Sequence, residues 1–129
     1  MSDLPDLTVA PDRITAVRYA GASGDFNPIH VDDDFAQAVG LPGRIMHGLW
    51  TMAQIARAAQ QAGDGPVALR RLQVKFRGPA LPGEELTVTG TVGEAQAGEG
   101  TVRVALEVRQ AGKRIVRDAD ADVAASDGG

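Results

Sequence analysis

The segment from Met46 to Ala62 is the most apolar stretch of the chain, and it limits the possible folds more than any other. It is rich in Ala, Leu, Met and Gln, which are good helix formers. Turn-forming residues bound it on both sides, at 41–43 and 63–66. Because apolar side chains occupy most of its circumference, we expect one long helix that is buried on several faces.

The sequence after this helix alternates between apolar and polar residues with a period of two, which is typical of half-buried strands. Four such strands follow one another, around 71–77, 86–92, 102–108 and 115–123, with turns near Gly98-Glu99-Gly100 and at 110–113. One buried helix and consecutive antiparallel strands predict an α+β fold in which a curved sheet wraps the helix. Such a sheet leaves an edge exposed, and edge-to-edge pairing of two subunits is a common remedy.

The region before the long helix predicts a short strand at 7–10 and two short helices. Asp12 is expected to cap the first helix, which ends near Gly21, and Asp32 to cap the second, which ends at Gly40. The first helix carries an apolar stripe at helical spacing, made of Ile14, Val17 and either Ala20 or Gly21.

Composition narrows the classes of protein to consider. The chain has 129 residues, a net charge of −4 and no cysteine. The charge offers no attraction to nucleic acid or to an anionic membrane, and the lack of cysteine excludes disulfides and thiolate nucleophiles. We expect a single domain over residues 1–125, a frayed tail at 126–129, and a cytoplasmic location, because neither a signal peptide nor a membrane-spanning run is present.

The stretch from Ser23 to His30 carries the strongest chemical signal. It places a carboxylate, Asp25, and an imidazole, His30, five positions apart. Pro28 restricts the residue before it, so we expect a loop that folds back on itself and no helix. The two side chains would then converge on one small molecule such as a water. General acid/base catalysis of this kind is worth about 10²–10⁴ in rate.

Other chemistries fit the histidines and acids less well. A nucleophilic Ser23 would need a Gly-x-Ser-x-Gly elbow, and the chain has none. Asp25, His30 and His47 could form a two-histidine, one-carboxylate metal site, but their spacing is not a recurring ligand pattern, so we expect no metal. In the acidic run at 32–34, the first carboxylate is expected to cap a helix, and the other two to interact favourably with the positive end of its dipole.

Two further groups of polar side chains lie in the predicted strands. Asp118, Asp120 and Asp122 share one strand face, and cross-strand ion pairs with Arg103 and Arg109 explain them. Four basic side chains either form a solvated face or hold the anionic tail of a ligand: Arg70, Arg71, Lys75 and Arg77.

His47-Gly48 begins the long helix, and helix N-termini present unpaired amides and a positive dipole end. Gly48 has no side chain to keep a carbonyl oxygen away from its amide. A donor aimed at a developing oxyanion is worth about 10²–10³ in rate. The alternative is that Gly48 only permits close packing.

Residues 19–32, which contain Asp25-Phe26-Asn27-Pro28-Ile29-His30, resemble the hydratase-2 motif of (R)-specific enoyl-CoA hydratases and MaoC-like dehydratases. Residues 45–49 resemble the start of the central helix in that family, and 74–77 and 82–84 also fit. The resemblance covers nearly the whole chain.

The resemblance implies a hotdog fold, in which an antiparallel sheet wraps a long helix, and a dimer formed through edge strands. It implies reversible syn addition of water to a trans-2-enoyl thioester of CoA or acyl carrier protein, without metal or redox cofactor. Asp25 and His30 would handle the water and Gly48 would polarise the thioester carbonyl. The expected substrate-binding residues are Phe26, Asn27, His47, Leu49 and Trp50.

The sequence departs from the family pattern in two places. Some relatives carry a serine two turns into the central helix, where this chain reads Ala53-Gln54-Ile55-Ala56. Trp50 replaces a smaller aliphatic residue, and it either packs in the core or narrows the acyl tunnel. Two rival functions remain: a hotdog thioesterase, and a subunit of a hetero-oligomeric acyl dehydratase that pairs with a related hotdog chain.

Overall fold

The computed structural model describes residues 2–96 and 100–125. The predicted tail at 126–129 and part of the predicted turn at 98–100 lie outside these residues. The helices are α1 (Thr15–Ser23), α2 (Pro28–Val31), α3 (Asp33–Ala38) and α4 (Gly48–Ala59), with 3₁₀ turns at Gln60–Ala62 and Pro66–Ala68. The strands are β1 (Ser2–Asp3), β2 (Leu7–Val9), β3 (Leu69–Phe76), β4 (Leu86–Ala95), β5 (Thr101–Gln110), β6 (Lys113–Arg114) and β7 (Val116–Ala124).

The strands form one antiparallel sheet in the order β1-β4-β5-β7-β3, with β2 also paired to β4 and β6 to β5. Helix α4 packs against β2, β3, β4 and β5. The four predicted strands and the sheet around a central helix are therefore confirmed, and the fold is the expected α+β hotdog fold. The hairpin predicted at 110–113 is also confirmed. Its central residues, Ala111 and Gly112, have φ angles of 52° and 74°, as a tight two-residue turn requires.

The core lies between α4 and the concave face of the sheet. Ile55 is fully buried there, which contributes about 1.5–3 kcal/mol relative to an exposed side chain. The strand side of the core is dominated by β-branched and leucine side chains, namely Leu86, Val88, Val104, Val108, Val116 and Val123.

Helix α4 differs from its prediction in one respect. Its buried residues form a single face, made of Trp50, Thr51, Gln54, Ile55, Ala58 and Ala59. Leu49, Ala53 and Arg57 on the opposite face are exposed. Burial on several faces was therefore wrong. Alanine occurs on both the buried and the exposed faces of this helix, so its positions do not show which face packs against the sheet.

Helix α1 also differs in detail from its prediction. The Asp12 carboxylate accepts hydrogen bonds from the amides of Ile14 and Thr15, both at 2.9 Å, as expected. The N-cap itself is Ile14, however, so Asp12 holds the turn that leads into the helix. The helix ends at Ser23 and not near Gly21. The predicted stripe is wrong as the buried face, because Ile14 and Val17 are exposed whereas Ala16 and Ala20 are buried. Small alanines let this helix lie close to its neighbours.

The expected cap on α3 is present. The Asp32 carboxylate accepts from the Phe35 amide at 3.1 Å. In the described part of the chain, no helix is long and apolar enough to cross a membrane.

Candidate active site

The end of α1 positions Asp25. Gly24 adopts a left-handed conformation with φ of 80°, and its amide donates to the Ala20 carbonyl at 2.8 Å. Glycine reaches this conformation without the steric cost other residues meet. The chain therefore turns sharply, and Asp25 follows directly. Its Oδ1 accepts from the Asn27 amide at 3.2 Å, which leaves Oδ2 free to face His30.

His30 lies in a helix, so the predicted loop without helix was wrong. Pro28–Val31 forms the single turn α2. Proline is tolerated at the first position of a helix because that position has no use for an amide donor, and its fixed φ suits the helix. Asn27 caps the turn by accepting from the Ile29 amide at 3.2 Å. One helical turn thus carries the imidazole back towards the carboxylate.

The hydrogen bonds of His30 determine which ring nitrogen faces Asp25. Nδ1 lies 2.8 Å from the carbonyl oxygen of Ile45, and a carbonyl can only accept, so Nδ1 carries a hydrogen. Nε2 lies 3.9 Å from Asp25 Oδ2. The imidazole is 8% exposed and the Asp25 carboxylate 55% exposed. The separation is too long for a direct hydrogen bond, and both groups can act on one small molecule.

His47 connects the two members of the pair. Its ring is buried, and Nε2 donates to the backbone carbonyl of Asp25 at 2.9 Å. The same ring stacks on that of His30, with centroids 3.8 Å apart and planes inclined by 18°. The Tyr19 ring also packs against the His47 ring, with centroids 4.7 Å apart and planes inclined by 52°. His47 therefore fixes the backbone of one member and packs on the side chain of the other.

The three residues considered for a metal site do come together. One potential ligand atom from each of Asp25, His30 and His47 lies within 4.8 Å of the others. Their geometry does not fit a metal, however. The His47 Nε2 and His30 Nδ1 atoms both donate to carbonyls, and the two rings are nearly parallel. Lone pairs lie in the ring plane, so those of stacked rings do not converge on one ion.

The start of α4 presents free donors beside this pair. His47 occupies the N-cap position, but its side chain makes no capping hydrogen bond. The Trp50 and Thr51 amides donate to the His47 carbonyl, whereas those of Gly48 and Leu49 have no acceptor within the residues described. An added Cβ on Gly48 would lie 3.7 Å from the Phe76 ring, an ordinary contact. Close packing therefore does not require glycine here.

Two cavities meet at Gly48 and Phe76. One, of about 420 Å³, contains Asp25 and His47; the other, of about 310 Å³, contains His30. The site is thus an open cleft of two cavities that share Gly48 and Phe76 in their lining, and the acid, the imidazole and the free amides lie around it.

The structure distributes the other expected substrate-binding residues unevenly. Leu49 and His47 line the Asp25 cavity. Phe26 and Asn27 are exposed and line neither cavity, and the Asn27 side chain serves as a cap. Trp50 lies in the core, 8% exposed, away from both cavities. Its suggested influence on the acyl tunnel stays a prediction.

Sequence reasoning missed three contributors: the carbonyl of Ile45, the ring of Tyr19, and Phe76 in the lining of both cavities. Tyr19 had a weak signal, since it is the only tyrosine and stands one and a half helical turns before Asp25. Phe76 looked like an ordinary inward residue of a strand. The carbonyl of Ile45 has no sequence signature.

Comparison with known proteins decides the family. Residues 3–113 match the family described as MaoC like domain. The chain belongs to the MaoC-like family. Its fold aligns with the structure of the R-hydratase PhaJ1 from Pseudomonas aeruginosa, at a TM-score of 0.83 and 29% identity, over 97% of this chain and 80% of that one.

Curated relatives contain similar sequence within longer proteins. The fatty acid synthase beta subunit TOXC of Cochliobolus carbonum is 37% identical over 106 residues, covering 76% of this chain and 5% of that protein. The enoyl-CoA hydratase ChsH3 of Mycobacterium tuberculosis is 39% identical over 90 residues, covering 65% of this chain and 30% of that protein. This MaoC-like chain therefore spans less than a third of either relative.

The outer face of the MaoC-like sheet carries ion pairs, and the residues that form them line neither cavity of the cleft. Arg71 contacts Asp120 and Asp122, and Arg103 contacts both as well. Hydrogen bonds from Arg71 first, and then from Arg103, hold the pKa of Asp122 below its ordinary value. The predicted pairing with Arg103 is confirmed for Asp120 and Asp122 but not for Asp118, which makes no ion pair with an arginine among the described residues.

The predicted pairing with Arg109 was wrong, because that guanidinium lies 3.0 Å from Glu107. A face assignment from alternation gives the side of the sheet but not the exact cross-strand partner.

Proposed function

We propose that this chain catalyses the reversible, (R)-specific addition of water to a trans-2-enoyl thioester. The observation that carries the proposal is the 3.9 Å approach of Asp25 Oδ2 to His30 Nε2 beside the free amides at the start of α4. The names of the relatives support it, since an enoyl-CoA hydratase and an R-hydratase are among them.

His30 is set up as a base by its own hydrogen bond. Because Nδ1 donates to the Ile45 carbonyl, the neutral ring presents the Nε2 lone pair to the cleft. Asp25 Oδ2 offers a second acceptor beside it. A water bound to both loses a proton to the dyad while its oxygen attacks C3 of the substrate. The neighbouring carboxylate stabilises the imidazolium that forms.

The electrons of the C2–C3 double bond move towards the thioester carbonyl as the water adds, so negative charge develops on that oxygen. The Gly48 amide, at the positive end of α4, is the donor placed to receive it. Such stabilisation is worth about 10²–10³ in rate.

The proton taken from water then returns to C2. In the balance, one O–H bond and the C2–C3 π bond break, and one C–O and one C–H bond form, with no net oxidation. Because one dyad handles both the oxygen and the proton, both add to the same face of the double bond. Syn addition follows from this placement.

The proposal includes assembly as a homodimer. Among the strands of residues 2–96 and 100–125, β3 ends the sheet and pairs on one side only, with β7. Two large apolar side chains that line the cleft are exposed: Leu49 at 67% and Phe76 at 44%. Phe26, which follows Asp25 in the chain, is 61% exposed. Exposed apolar clusters of this kind are typical of interaction sites. A heterodimer with a related hotdog chain is the alternative.

The test uses crotonyl-CoA and follows loss of the conjugated thioester absorbance. Asp25→Asn and His30→Ala should each lower kcat by at least about 10², within the range for general acid/base catalysis. Asp34→Asn is the matched control, because Asp34 is an exposed carboxylate on α3 outside both cavities. Circular dichroism checks folding, and chiral chromatography of the hydrolysed product checks for the (R) isomer.

Three outcomes would contradict the proposal. Full activity in Asp25→Asn would show that Asp25 and His30 do not act together in catalysis. Release of free thiol in place of hydration would favour a thioesterase. Inactivity until a second hotdog chain is added would favour a hetero-oligomeric dehydratase.

A further inference from the structure

A third cavity, of about 400 Å³, lies where the segment after β3 meets the β5–β6 hairpin. We call it the basic groove. Its lining combines three cations with apolar side chains, including Arg77, Lys113, Arg114, Leu41, Leu81 and Ile115, and it contains no acidic residue.

The basic groove adjoins the catalytic cleft. Gly78 and Pro79 line both the groove and the cavity that contains His30. A ligand whose reacting end lies beside His30 can therefore continue past these two residues into the groove.

The walls of the groove are fixed by hydrogen bonds. The Gln110 side chain is buried; it accepts from the Leu81 amide at 2.7 Å and donates to the Leu81 carbonyl at 2.8 Å. On the opposite wall, the Arg77 and Gly78 amides donate to the Ile115 carbonyl at 2.9 and 3.0 Å. These contacts tie the segment after β3 to the hairpin, so the recess exists before any ligand arrives.

Two of the three cations are available to a ligand. Arg114 lies 3.5 Å from a Glu107 oxygen and also donates to the Arg117 carbonyl. In the described parts of the chain, neither Arg77 nor Lys113 has a carboxylate within ion-pair distance. In a protein of net charge −4, this concentration of positive charge points to an anionic ligand.

We infer that the basic groove binds the phosphate groups of coenzyme A, with Arg77 and Lys113 as the principal contacts. The inference rests on the proposed function, which places the thioester beside His30. CoA carries several phosphate charges at the far end of its pantetheine arm. A recess of this size is that of a small-molecule site. A carrier protein would instead need roughly 800 Å² of docking surface on each partner.

The test compares two substrates that share an acyl group: crotonyl-CoA and crotonyl-pantetheine, which lacks the nucleotide and its phosphates. Arg77→Gln with Lys113→Gln should lower kcat/KM for the CoA thioester at least about tenfold, mainly through KM, as expected for lost charge-assisted contacts. The pantetheine thioester should change less than about twofold. Arg70→Gln is the control, because it removes a cation from β3, outside the groove.

Equal losses with both thioesters, or no loss with either, would overturn the inference. So would a loss confined to a crotonyl-carrier protein. Calorimetric titration with CoA alone separates this inference from the proposed function. If the wild-type protein hydrates neither thioester but binds CoA at least tenfold more tightly than the double variant, the groove assignment stands. Equal dissociation constants would refute it.

Discussion

Replacing His47 by phenylalanine should separate activity from stability. Phenylalanine keeps a flat ring that can stack on His30 at the observed 3.8 Å. It removes the donor that holds the Asp25 carbonyl at 2.9 Å. The change therefore releases the backbone of Asp25 while preserving the packing around it.

The expected change in unfolding free energy is small. Leaving a carbonyl without its partner costs about 1–3 kcal/mol when it is buried, and less here because Asp25 is exposed and water can replace the donor. The substitution also removes His47 Nδ1, a buried nitrogen that has no partner in the described part of the structure. These effects oppose each other, so we expect a net change within about 1 kcal/mol.

The expected change in rate is larger. Asp25 Oδ2 faces His30 Nε2 only while the backbone of residue 25 is held. A displacement of about 1 Å in a catalytic group can cost about 10² in rate, and we expect kcat with crotonyl-CoA to fall by about 10–100-fold. His47→Gln is the matched variant, since its amide nitrogen can replace the donor but not the ring.

Thermal unfolding and steady-state kinetics on both variants test whether the hydrogen bond from His47 to Asp25 positions the dyad. His47→Gln should keep more of the wild-type kcat than His47→Phe. If the phenylalanine variant is as active as wild type, or if the glutamine variant loses more activity, the hydrogen bond to Asp25 does not position the dyad.

Three further predictions concern single sites. Gly48→Ala should leave Tm within a few degrees, because its Cβ meets Phe76 at an ordinary 3.7 Å, yet lower kcat/KM with crotonyl-CoA by crowding the oxyanion site; unchanged kinetics would contradict this. Asp122→Asn should destabilise the protein by about 1 kcal/mol at pH 7 in urea unfolding, because it removes the charge that pairs with Arg71. The effect is no larger because this ion pair is partly exposed to solvent. Because folding lowers the pKa of Asp122, this difference should be present above the unfolded value near 4 and vanish as the pH falls through the folded pKa; a pH-independent difference would refute the assignment. Gly63→Ala should lower Tm strongly, as a Cβ there would lie 2.7 Å from a carbonyl oxygen of β7, whereas Gly21→Ala, with open space around it, serves as the tolerated control.

Local signals predicted most of the fold. Strands β3, β4, β5 and β7 are recognisable from the alternation of apolar and polar residues, because successive side chains of a pleated strand point to opposite faces of the sheet. The Asp25 and His30 pair was also predictable, since only four residues separate the two and a single turn between them brings the side chains together. The sequence could not supply the form of that turn. Pro28 breaks a helix from the inside but begins one at its first position, and the surrounding residues suit either outcome.

The missing part of the site is tertiary. His47 and Asp25 are 22 positions apart, and His30 and Ile45 are 15 apart. Each contact joins a side-chain nitrogen to a backbone carbonyl, and every residue has such a carbonyl. No residue type at either position therefore identifies the partner. The ion pair of Arg109 was mispredicted for the same reason, because residue types alone do not identify which carboxylate the guanidinium contacts.

The position of the His47 ring explains why the Leu49 amide stays free. A serine, threonine or aspartate at the N-cap of α4 would accept from the second or third amide of the helix, that of Leu49 or Trp50, and stabilise the helix by about 1 kcal/mol. His47 stands there instead, and its ring is turned away to hold Asp25 and stack on His30. The residue that could satisfy the helix end is thus committed to the dyad. Under the proposed function, His47 at this position both holds the water-handling pair and leaves the Leu49 amide free, beside the Gly48 amide that no N-cap side chain would reach, at a cost in helix stability.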